Sequence, residues 1–368
     1  MASEIFLKIS PYAFDIPEFH RILSHTCEIA LKGKMITQKD IARKLGISRS
    51  LVSRALTGTA VDIGASEETV RKIRQLAEKF GYVQNAAALS LRGDCSKSVG
   101  VVVKDFSDPF FGKMIREIQE LGRARGFSIL LTGYSPDSSM EVDINSLLRY
   151  SPDAIIICGS HLGMSWLKPF IKRGIPAVQI GSGRDIAGLS RIEMDEEHAV
   201  LLILDHLKML GHLDIGFIGT DSKSSMTRKA LFAKFAAKYN MSIRHSISVS
   251  DQTDAGFKAM NIMMKRAVKN LPSAVAASDD ITALGALKAL HSAGISVPDD
   301  ISLVGIDDIP SADLAIPPLT TVRAPVSEMV KQAFSMAVDK DRSSKKSLRL
   351  RPELAMREST KLFNMEGK

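Results

Sequence analysis

The sequence predicts a small all-α N-terminal domain followed by an α/β core of two doubly wound lobes, and three observations carry that expectation. Short capped helical segments sharing one apolar set occupy residues 36–80. From residue 97 onward, brief apolar runs alternate with helical stretches, as in parallel sheets covered by helices on both faces. The alternation continues to residue 360, more chain than one hydrophobic core takes in, so two lobes are expected, with a cleft at the carboxyl ends of their strands.

In the first segment Thr37 is placed to cap a helix from Gln38 to Leu45, which Gly46 ends. Ser48 caps a second helix through Leu56, and Ser66 caps a third that runs to Phe80 and stops at Gly81. Ile41, Leu45, Ile47, Val52, Leu56, Val70, Ile73, Leu76 and Phe80 recur at helical spacing and converge on one small core. The expected strands of the larger segment are Val99–Val103, Phe127–Leu131, Ala154–Cys158, Ala177–Ile180, Ile215–Ile218, Ala274–Ala277 and Ile301–Gly305, with a helix near Gly112 to Arg125. The domains implied are residues 35–84, a linker at 85–96 and a core at 97–360, with lobe one near 97–193 and 324–340 and lobe two near 194–323 and 341–360. Residues 1–34 are either an appendage or untranslated; Lys32, Gly33 and Lys34 can be encoded by a purine-rich stretch of the sort bacterial ribosomes bind, which favours a start at Met35.

Charge and composition narrow the function. The formal charge of +8 is concentrated: Met35 to Gly93 holds four Lys and six Arg against five acids, as in a phosphate-backbone binder. Cys27, Cys95 and Cys158 lack disulfide or metal spacing, so no metal or cofactor is expected and a reducing cytoplasm fits. Apolar runs fall short of the roughly 18 residues of a membrane helix, and the N-terminus does not read as a secretory signal. There is no Gly-rich phosphate loop after Val99–Val103, no Gly-x-Ser-x-Gly elbow, and the eight histidines are scattered, so an enzyme is not expected.

Ala42, Gly46 and Val52 stand at the spacing of two helices packed across a tight turn. A small residue admits the second helix, Gly46 supplies the turn, and Val52 locks that helix to the core. The second helix then presents Arg49, Ser50, Ser53 and Arg54 outward, where arginine forks meet guanine edges and hydroxyls meet phosphates in a major groove. The whole run from Ile36 to Arg54, with Gly81-Tyr-Val-Gln-Asn85 and Ala86-Ala-Ala-Leu-Ser-Leu91, resembles the headpiece and hinge of the lactose and galactose repressor family.

The resemblance implies that Arg49 and Ser50 read bases, and that Thr37, Ser48, Ser53, Arg54, Thr57, Ser66 and Thr69 contact phosphates or bases. It further implies that Asn85, Ala88 and Leu91 belong to a hinge helix folding on DNA, with Leu91 wedged into the minor groove. Gly58–Ala65 is longer than the family's usual turn, Gln84 replaces a common proline, and Leu89 stands where a polar residue is frequent.

Asp108-Pro-Phe-Phe111, Leu210-Gly-His212, Asp279-Asp-Ile-Thr-Ala-Leu-Gly285, Val304-Gly-Ile-Asp-Asp308 and Pro317-Pro-Leu-Thr-Thr321 are similar to the family's effector core, itself like periplasmic sugar-binding proteins. The implied cleft residues are Phe106, Asp108, Phe110, Ser224, Arg228, Asp280 and Asp307, although such aspartates also cap helices and such phenylalanines also fill cores. Ala230 falls where the family places an effector-clamping arginine, and Gly181 where a carboxylate is common. Three alternatives follow: an unusual ligand, Arg228 reaching in from nearby, or a core that answers to a protein partner. The implied function is a homodimeric repressor on a pseudo-palindromic DNA operator, modulated by a carbohydrate-like ligand. A cytoplasmic binding protein or enzyme fused to a headpiece remains the alternative of another class.

Overall fold

The computed structural model describes residues 36–57, 64–82, 96–133, 144, 147–160, 165–250, 254–267, 270–339 and 347–363. The expectations for residues 1–34 and for the hinge residues Asn85, Ala88 and Leu91 lie outside them. Two compact units divide at Asn85.

The first unit holds α1 (Gln38–Leu45), α2 (Arg49–Thr57) and α3 (Glu67–Lys79). Each begins where a hydroxyl accepts an otherwise orphaned backbone N–H. Thr37 Oγ1 accepts from the Asp40 amide at 3.3 Å within a capping box, Ser48 Oγ from Leu51 at 3.1 Å, and Ser66 Oγ from Thr69 at 3.3 Å. Gly46 closes α1 in the left-handed conformation at φ 66°, which a side chain would resist. Ile41, Ala42, Val52, Ala55, Val70, Ile73 and Ala77 form the buried core, so all three helices contribute to it.

The second unit contains two sheets. The first is ordered β11-β5-β4-β3-β1-β2, from β1 (Ser98–Val103), β2 (Ser128–Gly133), β3 (Ala154–Cys158), β4 (Ala177–Ile180), β5 (Leu189–Met194) and β11 (Ser347–Leu350), and its described pairings are parallel. The second is ordered β12-β10-β9-β8-β6-β7, from β6 (Asp214–Thr220), β7 (Ser242–Val249), β8 (Ala274–Ala277), β9 (Ser302–Asp307), β10 (Thr320–Arg323) and β12 (Glu353–Ala355). Only the β10–β12 pairing there is antiparallel among the described strands.

β1 and β3 are buried along their whole length, which is why they read as unbroken apolar runs. Helices cover the sheets: α4 (Pro109–Arg125) and α11 (Val326–Val338) pack together on the first, while α8 (Ala255–Arg266) and α9 (Asp280–Ser292) pack together on the second. The chain passes between the sheets after β5, after β10 and after β11. The last passage corrects the expected lobe limits, because Ser347–Leu350 pairs with Arg191–Met194 of the first sheet and not with lobe two.

Two histidines tie the C-terminal segment to the second lobe. His206, on α6 (Glu196–Met209), lies 2.9 Å from Thr360 Oγ1; His212 Nδ1 is 2.9 Å from Ser273 Oγ, and its Nε2 donates to the Lys361 carbonyl at 3.0 Å. Burial holds both rings below the ordinary value of 6.5. The unfolded chain therefore takes up these protons first, so the stability contributed by the neutral rings is present above pH 6.5 and lost as pH falls through it. The melting temperature of the core is expected to drop as pH falls from about 7 to 5.5, and His206→Gln to flatten that drop; identical slopes in the two proteins would refute the assignment.

Candidate functional site

In the first unit Arg49, Ser50 and Arg54 are exposed on α2 and Ser53 is half-buried, whereas Val52 and Ala55 on the opposite side are buried. Thr57 ends the helix. The helix therefore presents a basic, hydroxyl-bearing surface beginning at its capped N-terminus. The hydroxyls of Thr37, Ser48 and Ser66 are engaged in caps, and Thr69 Oγ1 lies 2.9 Å from Ser66 Oγ. A phosphate at these positions meets helix N-termini as well as side chains.

In the second unit a cleft of about 380 Å³ lies at the carboxyl ends of the strands. Asp108 is the N-cap of α4, accepting from the Phe110 amide at 2.9 Å, and both residues line the cleft from the first lobe. From the second lobe come Ser224 and Arg228 of α7 (Lys223–Ala236), Asp279 before α9, and Asp307 at the end of β9. Asp307 sits at φ 118°, a backbone conformation side chains rarely adopt, so the fold holds it at the cleft against strain.

Arg228 is the electrostatic centre of this wall. Its Nε donates to Glu196 Oε2 at 2.8 Å, Nη2 to Glu196 Oε1 at 3.2 Å and to Asp307 Oδ1 at 3.5 Å, and Nη1 to the Ser278 carbonyl. Burial opposes its charge, but the neighbouring Glu196 and Asp307 carboxylates outweigh burial and hold the guanidinium protonated. Burial drives the Asp307 carboxyl well above the usual range, opposed by Arg228 and reinforced by Asp280, Asp279 and Asp108. Burial likewise raises Asp108, against the Phe110 amide and with Asp279 and Asp105 adding to the rise. The described residues contain no grouping of His, Cys, Asp or Glu suited to a metal ion.

Residues 204–360 match the model of the periplasmic binding protein-like domain. The chain is 31% identical over 304 residues to the probable HTH-type transcriptional repressor ExuR of Bacillus subtilis, covering 80% of this chain and 88% of that protein. It is 30% identical over 315 residues to the HTH-type transcriptional regulator GalR of Escherichia coli, covering 83% and 89%. The chain belongs to the lactose and galactose repressor family. In fold it matches the lac repressor dimer bound to operator and an anti-inducer, with a TM-score of 0.76 at 23% identity, covering 89% of this chain and all of that one. Both relatives, ExuR and GalR, are transcriptional regulators.

For this member of the lactose and galactose repressor family, the cleft geometry revises several expectations. Arg228, two positions before Ala230, is the arginine that lines the cleft, with its fork held by Glu196. Gly181 does line the cleft, but at φ 131° with a Cβ only 2.8 Å from Gly159 backbone atoms, so a side chain there is excluded by the local backbone. Asp280 is fully buried behind the wall: Thr321 Oγ1 and the Ile309 amide donate to its oxygens, and a Cβ on Gly305 would lie 2.1 Å from one of them. Burial pushes its carboxyl up to about 7, and it is a buried tie between α9, β10 and the segment after β9. Phe106 is 55% exposed with its ring against Gly133 and is not among the cleft residues. Sequence reasoning missed Glu196, Asp279 and Lys104, all of which line the cleft; Asp195, an N-cap residue type followed by Glu196 and Glu197 at a helix start, was the available signal.

Proposed function

We propose that this chain is a homodimeric, sequence-specific repressor, acting in the cytoplasm, whose affinity for a pseudo-palindromic operator is set by a small polar ligand in the cleft. The observation that carries the reading is Arg49, exposed at the capped start of α2, in a family member whose core holds a cleft built around Arg228. The DNA-contacting set is Thr37, Ser48, Arg49, Ser50, Ser53, Arg54, Thr57, Ser66 and Thr69, with Asn85, Ala88 and Leu91 on the hinge. The effector set is Asp108, Phe110, Ser224, Arg228 and Asp307. Two-fold protein symmetry calls for a two-fold site, and a ligand shifts operator affinity to the extent that it favours one lobe arrangement over the other. ExuR is a probable HTH-type transcriptional repressor, GalR is an HTH-type transcriptional regulator, and the lac repressor structure holds a dimer on its operator.

A core that answers to a protein partner is the second reading, suggested by Ala230 and Gly181 in the sequence, whereas a polar cleft lined by Arg228 and Asp307 favours a small ligand. The test is selection of DNA from a random pool by the purified protein, repeated with a library of sugars, sugar acids and phosphates. Enrichment of a palindrome whose binding falls steeply with salt and changes with one ligand class is the expected result. A pool with no enriched sequence would defeat the reading.

A further inference from the structure

The arginine at the cleft is not free to clamp an anion. Glu196 holds its fork through two bonds, to Nε at 2.8 Å and Nη2 at 3.2 Å, while the Ser278 carbonyl takes Nη1. Glu196 opens α6, where the helix dipole favours a carboxylate, and its side chain is 19% exposed against 9% for Arg228. The lining also carries Asp105, Asp108, Asp279 and Asp307, so five carboxylates face two cations, Arg228 and Lys104. Among the described residues no donor reaches Oδ2 of Asp108 or Oδ2 of Asp307, so each lobe offers the ligand an acceptor.

We propose that Glu196 is a charge filter: by occupying the fork of Arg228 it makes the cleft a receptor for neutral or amino-bearing polyols and closes it to sugar acids and sugar phosphates. The proposal rests on the ligand-sensing reading above and names the class of effector. An entering carboxylate or phosphate must either evict Glu196, leaving it largely buried without its cation, or sit beside Asp108, Asp279 and Asp307 as a further like charge. A hydroxyl or ammonium group instead donates to those oxygens. An ammonium placed between Asp108 of one lobe and Asp279 or Asp307 of the other also relieves the repulsion between them, which couples binding to closure. Burial and mutual repulsion already lift Asp108 and Asp307, in keeping with an acidic wall short of positive charge.

The experiment compares full-length wild type with Glu196→Gln, in which the amide oxygen still accepts from Arg228 while the charge is gone. Both are screened by thermal shift and operator release against hexoses, each in its neutral, 2-amino, 6-carboxylate and 6-phosphate forms. Wild-type hits are expected among the neutral and amino forms, and in Glu196→Gln the affinity ratio of acid to neutral form should rise by roughly tenfold or more. A sugar acid or phosphate that binds wild type more tightly than its neutral form overturns the filter, as does an unchanged ratio in the variant; the wild-type arm decides even if the variant does not fold. Inorganic phosphate supplies a second arm that needs no knowledge of the ligand. It should stabilise Glu196→Gln by about 2 to 4 °C more than wild type, the headpiece contribution cancelling in the comparison, and equal shifts overturn the proposal. If no sugar form acts on either protein, the ligand-sensing reading fails while the phosphate arm still judges the filter.

Discussion

Arg228→Ala is expected to destabilise the core by about 3 to 5 kcal/mol and to abolish its response to effector. The guanidinium, 9% exposed, is the cation that Glu196 and Asp307 share, and it also donates to the Ser278 carbonyl. Truncation leaves two largely buried carboxylates uncompensated and one carbonyl without this donor, and such a loss far exceeds what the intact network contributes. The deficit should also depend on pH. Without Arg228 the Asp307 carboxyl, already raised by burial, holds its proton to still higher pH than in the unfolded chain, so the variant is least handicapped in acid and loses stability as pH rises through that elevated value. Urea unfolding followed through the fluorescence of Trp166, the chain's single tryptophan, at pH 5.5 and 8 measures both effects. Arg228→Met combined with Glu196→Gln should recover part of the loss, because a neutral pair leaves one charge fewer buried. A deficit below about 1 kcal/mol at both pH values would show that the carboxylates are solvated and that the network does not organise the wall.

The headpiece was legible because its signals are local. Thr37, Ser48 and Ser66 cap helices within three residues of themselves, and Gly46 turns the chain by its own conformation. Buried strands such as Ala154–Cys158 and Ala274–Ala277 were equally plain, since both faces are covered and every residue is apolar. β5 was not read, because Arg191 and Glu193 interrupt it; the two pair with each other at 3.1 Å within the sheet, a compensation visible only once the strand exists. β11 and β12 are short and sit at sheet edges, where half the side chains face solvent and alternation carries little information.

The cleft was legible only in part, since its wall joins residues as far apart in sequence as Asp108, Glu196, Arg228 and Asp307. A resemblance places residues along the chain but not around a cavity. That is why it set Asp280 at the ligand when that carboxylate is tied to Thr321 and Ile309, and why it did not show that Glu196 holds the fork of Arg228 at the cleft.

Arg49→Ala should relax base preference at one operator position per half-site by roughly 1 to 3 kcal/mol, while Arg54→Ala weakens binding to all sequences alike. Both side chains are exposed on α2, yet the helix gives them different tasks by position. Arg49 is the first residue after the Ser48 cap, and the N-terminal end of such a helix is the end that approaches base edges in a major groove. An arginine fork there reaches both acceptors of a guanine, so removing it erases the distinction between the right and wrong base pair at that position. Arg54 lies in the last turn, where the helix departs from the groove floor and a cation meets backbone phosphate. Phosphate contact carries no sequence information, so its loss should lower the magnitude of the salt slope by about one without changing the ranking of sites. Binding of each variant to the selected operator and to its single base-pair substitutions, at several salt concentrations, separates the two. Equal loss by Arg49→Ala on every substituted operator would refute its reading role, and a salt slope unaltered in Arg54→Ala would remove that residue from the phosphate contacts.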